Sequence, residues 1–110
     1  MDEYFQVVTT INGKEPAEQL ARGIVEVRLA ACVQLVGPIK SFYRWRGELE
    51  DEREWQLVIK TTSDRLSELE TYIKEKHSYE TPEITATVIS GGSREYLDWI
   101  SAETRTDASS

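Results

Sequence analysis

The 110-residue chain predicts an α+β fold in which an antiparallel sheet carries two helices on one face. Three observations predict it. Segments with period-two alternation and segments with three- and four-residue apolar spacing succeed one another as strand, helix, strand, strand, helix, strand. The two strand-helix-strand units are of similar length, and right-handed crossovers then put both helices on the same side. The longest apolar run, Leu29 to Val33, has five residues, far from the roughly 20 that a membrane-spanning helix needs.

The first strand is read from Tyr4 to Ile11, with Phe5, Val7, Thr9 and Ile11 on one face and Tyr4, Val8 and Thr10 on the other. Asn12-Gly13 turns the chain, and Pro16 sits at the start of a helix, where a missing N–H is tolerated. Ala17, Leu20, Ala21, Ile24, Val27 and Ala31 form its apolar stripe. Gly23 interrupts that helix at a cost of about 1 kcal/mol relative to alanine. A second strand begins at Cys32, bulges at Gly37-Pro38 and resumes at Ile39. Alternation of Tyr43, Trp45 and Leu49 with Arg44, Arg46, Glu48 and Glu50 carries it past Trp45. The turn is therefore expected in Glu50-Asp51-Glu52-Arg53, and the acidic run Glu48 to Glu54 reads as a solvated turn.

The returning strand, Trp55 to Thr61, completes a hairpin longer than the usual five- or six-residue strands require. Ser63 or Asp64 caps a second helix, whose inward residues are Leu66, Leu69 and Ile73 and whose C-terminal end carries Lys74, Lys76 and His77. Tyr79 to Pro82 connects to a fourth strand through Ile84, Ala86 and Val88. Ser93 caps a third helix bearing Tyr96, Leu97 and Ile100 on its apolar side. Residues 104–110 have nothing to bury and are expected to be a disordered tail, which sets the domain at 1–103.

This order, βαββαβ with a C-terminal helix, is that of the ferredoxin-like sandwich. Such a sheet leaves its second face open, yet Tyr4 and Val8 oppose Phe5 and Val7, and Val58 opposes Leu57 and Ile59. An oligomer is expected to cover that face, reached by the long hairpin. Tyr43, Trp45 and Trp55 are the aromatic candidates for its interface.

Thirteen basic against 20 acidic residues give a net charge of −7, which repels phosphate backbones and anionic membranes. No basic, aromatic RNA-reading segment occurs, so neither a nucleic-acid nor a membrane partner is expected. Cys32 is the one cysteine and forms no intramolecular disulfide, and the N-terminus lacks the pattern of a signal peptide. A cytoplasmic location is expected.

Several segments carry a family resemblance: Arg28-Leu29-Ala30-Ala31-Cys32-Val33, Ser41-Phe42-Tyr43-Arg44-Trp45-Arg46-Gly47, Lys60-Thr61, His77-Ser78-Tyr79-Glu80-Thr81-Pro82-Glu83-Ile84 and Tyr96-Leu97-Asp98-Trp99. In these the chain resembles the CutA divalent-cation tolerance proteins. It departs from them at Asn12 to Pro16 and at Ser78, where many members carry proline. The resemblance implies a ferredoxin-like protomer, a homotrimer built by edge pairing of the long strands, and an architecture similar to that of trimeric PII signalling proteins. It also implies binding of copper or another divalent metal and a role in metal tolerance.

Cys32 and His77 are the first candidate metal ligands, because a thiolate with an imidazole suits copper or zinc. They stand 45 positions apart without CxxC or HxxxH spacing, which leaves open whether they meet within one subunit or across two. Their plainer readings are a buried strand cysteine and a cation at a helix C-terminus. Glu80 and Glu83 add oxygen ligands, and with Tyr79 they are expected to line a polar cleft at the end of the fourth strand. Lys60 either pairs with Glu80 or receives an anionic ligand. No GxSxG elbow and no glycine-rich phosphate loop near the first strand is present, so neither an enzyme nor an organic cofactor is expected. The expected function is a copper-binding, alternatively zinc-binding, homotrimer of metal tolerance. The competing expectation is a PII-like module that binds a small anion at intersubunit clefts, and neither names a protein partner.

Overall fold

A computed structural model describes residues 3–105. Its elements are β1 (Tyr4–Ile11), α1 (Lys14–Glu26), β2 (Cys32–Trp45), β3 (Glu48–Thr62), a 3-10 turn (Ser63–Arg65), α2 (Leu66–Lys76), β4 (Thr85–Ile89) and α3 (Arg94–Glu103). The sheet order is β2-β3-β1-β4 and every pairing is antiparallel, which is the expected sandwich with an added helix.

Val7 and Ile11 of β1 and Leu57 and Ile59 of β3 share the face that α1 and α2 cover. They pack with Leu20 and Ile24 of α1 and Leu69 and Ile73 of α2. Each such side chain contributes about 1.5–3 kcal/mol when fully removed from water. Gly23 lets the two helices approach: a Cβ there would collide with the Tyr72 hydroxyl. The residue that interrupts the helical pattern is thus a contact point. The stripe expected to run on through Val27 and Ala31 stops at Ile24, because Arg28 takes φ 63° and reverses the chain. Leu29, Ala30 and Ala31 are buried in the connection that follows.

The bulge falls where expected, as a register shift between Val36 and Ile39. The turn does not. It lies at Arg46-Gly47, with φ 51° and 84°, rather than at Glu50 to Arg53. Two successive left-handed residues match the twist of a two-residue hairpin, and glycine adopts that conformation at little cost. The acidic run is consequently strand, with Glu48, Glu50, Glu52 and Glu54 on one side of β3 and Leu49, Asp51 and Arg53 on the other.

β1 pairs with β3 only over Trp55–Thr62, so Glu48–Glu54 pairs with β2 alone. This two-stranded arm accounts for the elongated 49 × 27 × 21 Å molecule.

α3 occupies one end of the second sheet face, where Ser101 hydrogen-bonds the Tyr4 hydroxyl at 2.7 Å and Thr104 meets Thr62. That end of the face is therefore covered from within the chain, which narrows the sequence argument for an oligomeric cover. Thr104, expected in a tail with nothing to bury, has 0% exposure, and Arg105 pairs with Asp64 at 3.1 Å. The rest of the expected tail, 106–110, lies outside the described residues.

Candidate cleft between the arm and the 78–83 loop

Strand alternation puts Ser41, Tyr43 and Trp45 of β2 beside Glu54, Glu52, Glu50 and Glu48 of β3 on the face opposite α1 and α2. The loop after α2 rises beside this surface, and between them opens a cleft of about 660 Å³. Thr10, Asn12, Glu52, Glu54, Glu80 and Glu83 are among the residues that line it.

Glu54 is its most constrained group. Although its side chain carries a carboxyl group, it is only 5% exposed. Ser41 Oγ donates to its Oε1 at 2.6 Å and the Tyr79 hydroxyl donates to its Oε2 at 2.7 Å. Hydrogen bonds to the ionised form offset the desolvation that burial imposes. The same arrangement holds the Tyr79 phenol well above the usual tyrosine range, first through burial and then through its bond to Glu54 and the nearby Glu52. Tyr43 is shifted upward as well, by desolvation and by Glu52, Glu50 and Glu54.

His77 anchors the loop rather than facing the cleft. The residue is 9% exposed, Nε2–H donates to the Thr10 carbonyl at 2.7 Å, and Nδ1 accepts from the Tyr79 backbone N–H at 3.0 Å. Both ring nitrogens are engaged, so no lone pair is left for a metal in this arrangement. Nor does the ring stand free at the end of α2, since it is bonded to β1 and to its own loop. At the open rim, Arg46 from the hairpin tip reaches Glu80 at 2.7 Å.

Cys32 and Lys60 are elsewhere. Both stand in register with Gln6, four residues before Thr10 on β1, which separates them from the His77 anchor by about 13 Å along the sheet. The soft ligand pair Cys32 and His77 is therefore not brought together within one protomer. Cys32 is partly buried under Tyr96 of α3, whose hydroxyl is shifted upward by burial and by the thiol. Lys60 Nζ donates to the Gln34 side chain at 3.0 Å, not to Glu80, whose partner is Arg46. Trp55 lies on the helix side, against Gly37 and beneath Lys14, and packs on the core. Tyr43 and Trp45 line the cleft. Among the described residues no group of three or more His, Cys, Asp or Glu side chains converges as a metal centre.

Of the residues that line or rim this cleft, the sequence reading names Tyr79, Glu80 and Glu83 as ligand candidates and does not single out Ser41, Glu52, Glu54 or Arg46. The signal was present: glutamate at every second position from 48 to 54 is a strand with one acidic side.

Residues 5–103 match the family model described as CutA1 divalent ion tolerance protein. The Divalent-cation tolerance protein CutA of Thermus thermophilus is 43% identical over 98 residues, covering 89% of this chain and 95% of that protein. Protein CutA, chloroplastic, of Arabidopsis thaliana is 39% identical over 90% of this chain and 54% of its own length. The solved structure of the periplasmic divalent cation tolerance protein CutA from Archaeoglobus fulgidus superimposes with a TM-score of 0.90 at 38% identity, over 93% of this chain and 99% of that one. Relatives named as chloroplastic and as periplasmic overturn the cytoplasmic expectation. A lone cysteine is compatible with several compartments, so it carries no address.

Proposed function

The chain belongs to the CutA1 divalent ion tolerance protein family, and we propose from that premise that it is a non-enzymatic homotrimer that takes up a divalent cation in the arm–loop cleft. The observation that carries this reading is the placement of Glu52, Glu54, Glu80 and Glu83 around one cavity. Oxygen donors of this kind accept borderline divalent ions, and Cu²⁺ heads the affinity order over Zn²⁺ for a given nitrogen and oxygen set. One protomer offers separated carboxylates rather than a closed set, so a neighbouring copy or water completes the coordination.

Assembly is supported by the arm. A two-stranded ribbon is marginal alone in water, and its Phe42 and Leu49 are 67% and 72% exposed. Burying both against a neighbour offsets the cost of ordering the ribbon. Sedimentation equilibrium should give three chain masses, and calorimetry should give Cu²⁺ and Zn²⁺ binding that Glu80→Gln and Glu52→Gln weaken. A monomer, or metal binding indifferent to both substitutions, rejects the reading.

A second reading is favoured by Lys60, whose ammonium donates to a neutral amide rather than a carboxylate. A small anion bound there, lost in Lys60→Ala with metal binding intact, would support the PII-like module.

A further inference from the structure

The cleft has walls that a small divalent ion does not use. Tyr43, Trp45 and Tyr79 line it beside the carboxylates, and a hard ion with its water shell gains little from ring faces. An organic cation gains from both, through the ring quadrupole and through charge. The chain already seats one such group at the rim. The Arg46 guanidinium carbon lies 5.4 Å from the centroid of Trp45, while its Nη2 reaches Glu80 Oε1 at 2.7 Å. Along β3, Glu48, Glu50, Glu52 and Glu54 recur at every second residue, which spaces them by about 6.8 Å. Ammonium groups joined by short alkyl segments repeat on the same scale. The volume, about 660 Å³, is in the range of small-molecule sites.

We propose that this cleft binds a linear aliphatic polyamine, with its ammonium groups on the Glu52, Glu54 and Glu80 carboxylates and its methylene segments against Tyr43 and Trp45, entering in place of Arg46. The ring walls make this reading independent of divalent-metal uptake at the same carboxylates. Arg46 then acts as a tethered competitor, because its guanidinium occupies the same pair, Trp45 and Glu80, that the ligand takes over.

The test is calorimetric titration of the full chain, in its native assembly, with spermidine at about 0.15 M salt, where diffuse attraction to exposed charge is largely screened. Spermidine should bind saturably. Trp45→Leu should weaken it about tenfold, the scale of a partly desolvated cation–π contact. Arg46→Ala should tighten it several-fold, and Trp45→Leu should weaken spermidine far more than it changes Zn²⁺ affinity. Both positions are exposed on the arm, and Arg46→Ala supplies a gain that misfolding does not mimic. Absence of saturable binding, or binding that both substitutions leave unchanged, overturns the proposal and marks mere attraction to an acidic surface. If spermidine follows this pattern while Zn²⁺ does not bind, the divalent reading fails and this one stands. The converse result rejects the polyamine site alone.

Discussion

The Tyr79 hydroxyl donates to Glu54 Oε2 at 2.7 Å across 25 positions of sequence, tying the loop after α2 to the root of the arm. Glu54 is buried and depends on this donor and on Ser41. Tyr79→Phe should cost about 1–3 kcal/mol in urea denaturation, the penalty for leaving a buried acceptor short of a partner. Combining it with Ser41→Ala should cost more than either alone, because one carboxylate then loses both donors.

The same bond predicts an alkaline response. The Tyr79 phenol is shifted upward in the folded state, first by burial and then by Glu54. The native state therefore keeps a proton that the unfolded state gives up, so this contribution is full below about pH 10 and is lost as pH rises above it. Wild type should lose stability over that range and Tyr79→Phe should lose less, as followed by urea midpoints between pH 9 and 11. Parallel curves would show that the phenol does not report on folding.

Asp64 predicts the acid limb. Its carboxyl is held below the usual 3.8, chiefly by the Thr62 hydroxyl and then by Arg105. A lowered carboxyl pKa adds stability above the unfolded value that is lost as pH falls through the folded one. The stability gap between wild type and Asp64→Asn should narrow as pH drops from about 5 to below the 3.8 reference. A gap that stays constant with pH assigns the effect to packing of Thr62, Thr104 and Arg105 instead.

Gly23 and Gly47 should respond to alanine for different reasons. Gly47 has φ 84° with nothing within 4 Å of a new Cβ, so Gly47→Ala should cost about 1 kcal/mol through backbone strain alone. Gly23→Ala gains helix propensity but meets the Tyr72 hydroxyl and should be net destabilising by about 1 kcal/mol. Tyr72→Phe in the same chain should relieve it, a coupling that a double-mutant cycle measures directly.

The fold was legible because the strand and helix periods differ and each element presents an apolar face, as in Val7, Leu57 and Ile59 or Leu20, Ile24 and Leu69. The hairpin turn was misplaced because charge density at Glu48 to Glu54 resembles a turn, whereas the chain reverses where Gly47 permits φ 84°. Half of the cleft was legible. Tyr79, Glu80 and Glu83 sit together in sequence, but Ser41 and Glu54 meet them only through antiparallel pairing after a bulge shifts the register. His77 was misassigned because ring nitrogens read as ligands until their partners, the Thr10 carbonyl and the Tyr79 N–H, are known. Lys60 and Cys32 stand apart from the cleft because their strands place them near α3, which no local pattern encodes.

Where the cation sits is the most direct question. Crystals of the full chain grown with Zn²⁺ should give an anomalous peak inside the cleft, within about 2.0–2.2 Å of carboxylate oxygens from Glu52, Glu80 or Glu83. Both His77 ring nitrogens should remain on Thr10 and Tyr79. A peak on the Cys32 thiolate or on a displaced His77 ring, with the cleft carboxylates free of metal, would contradict the account.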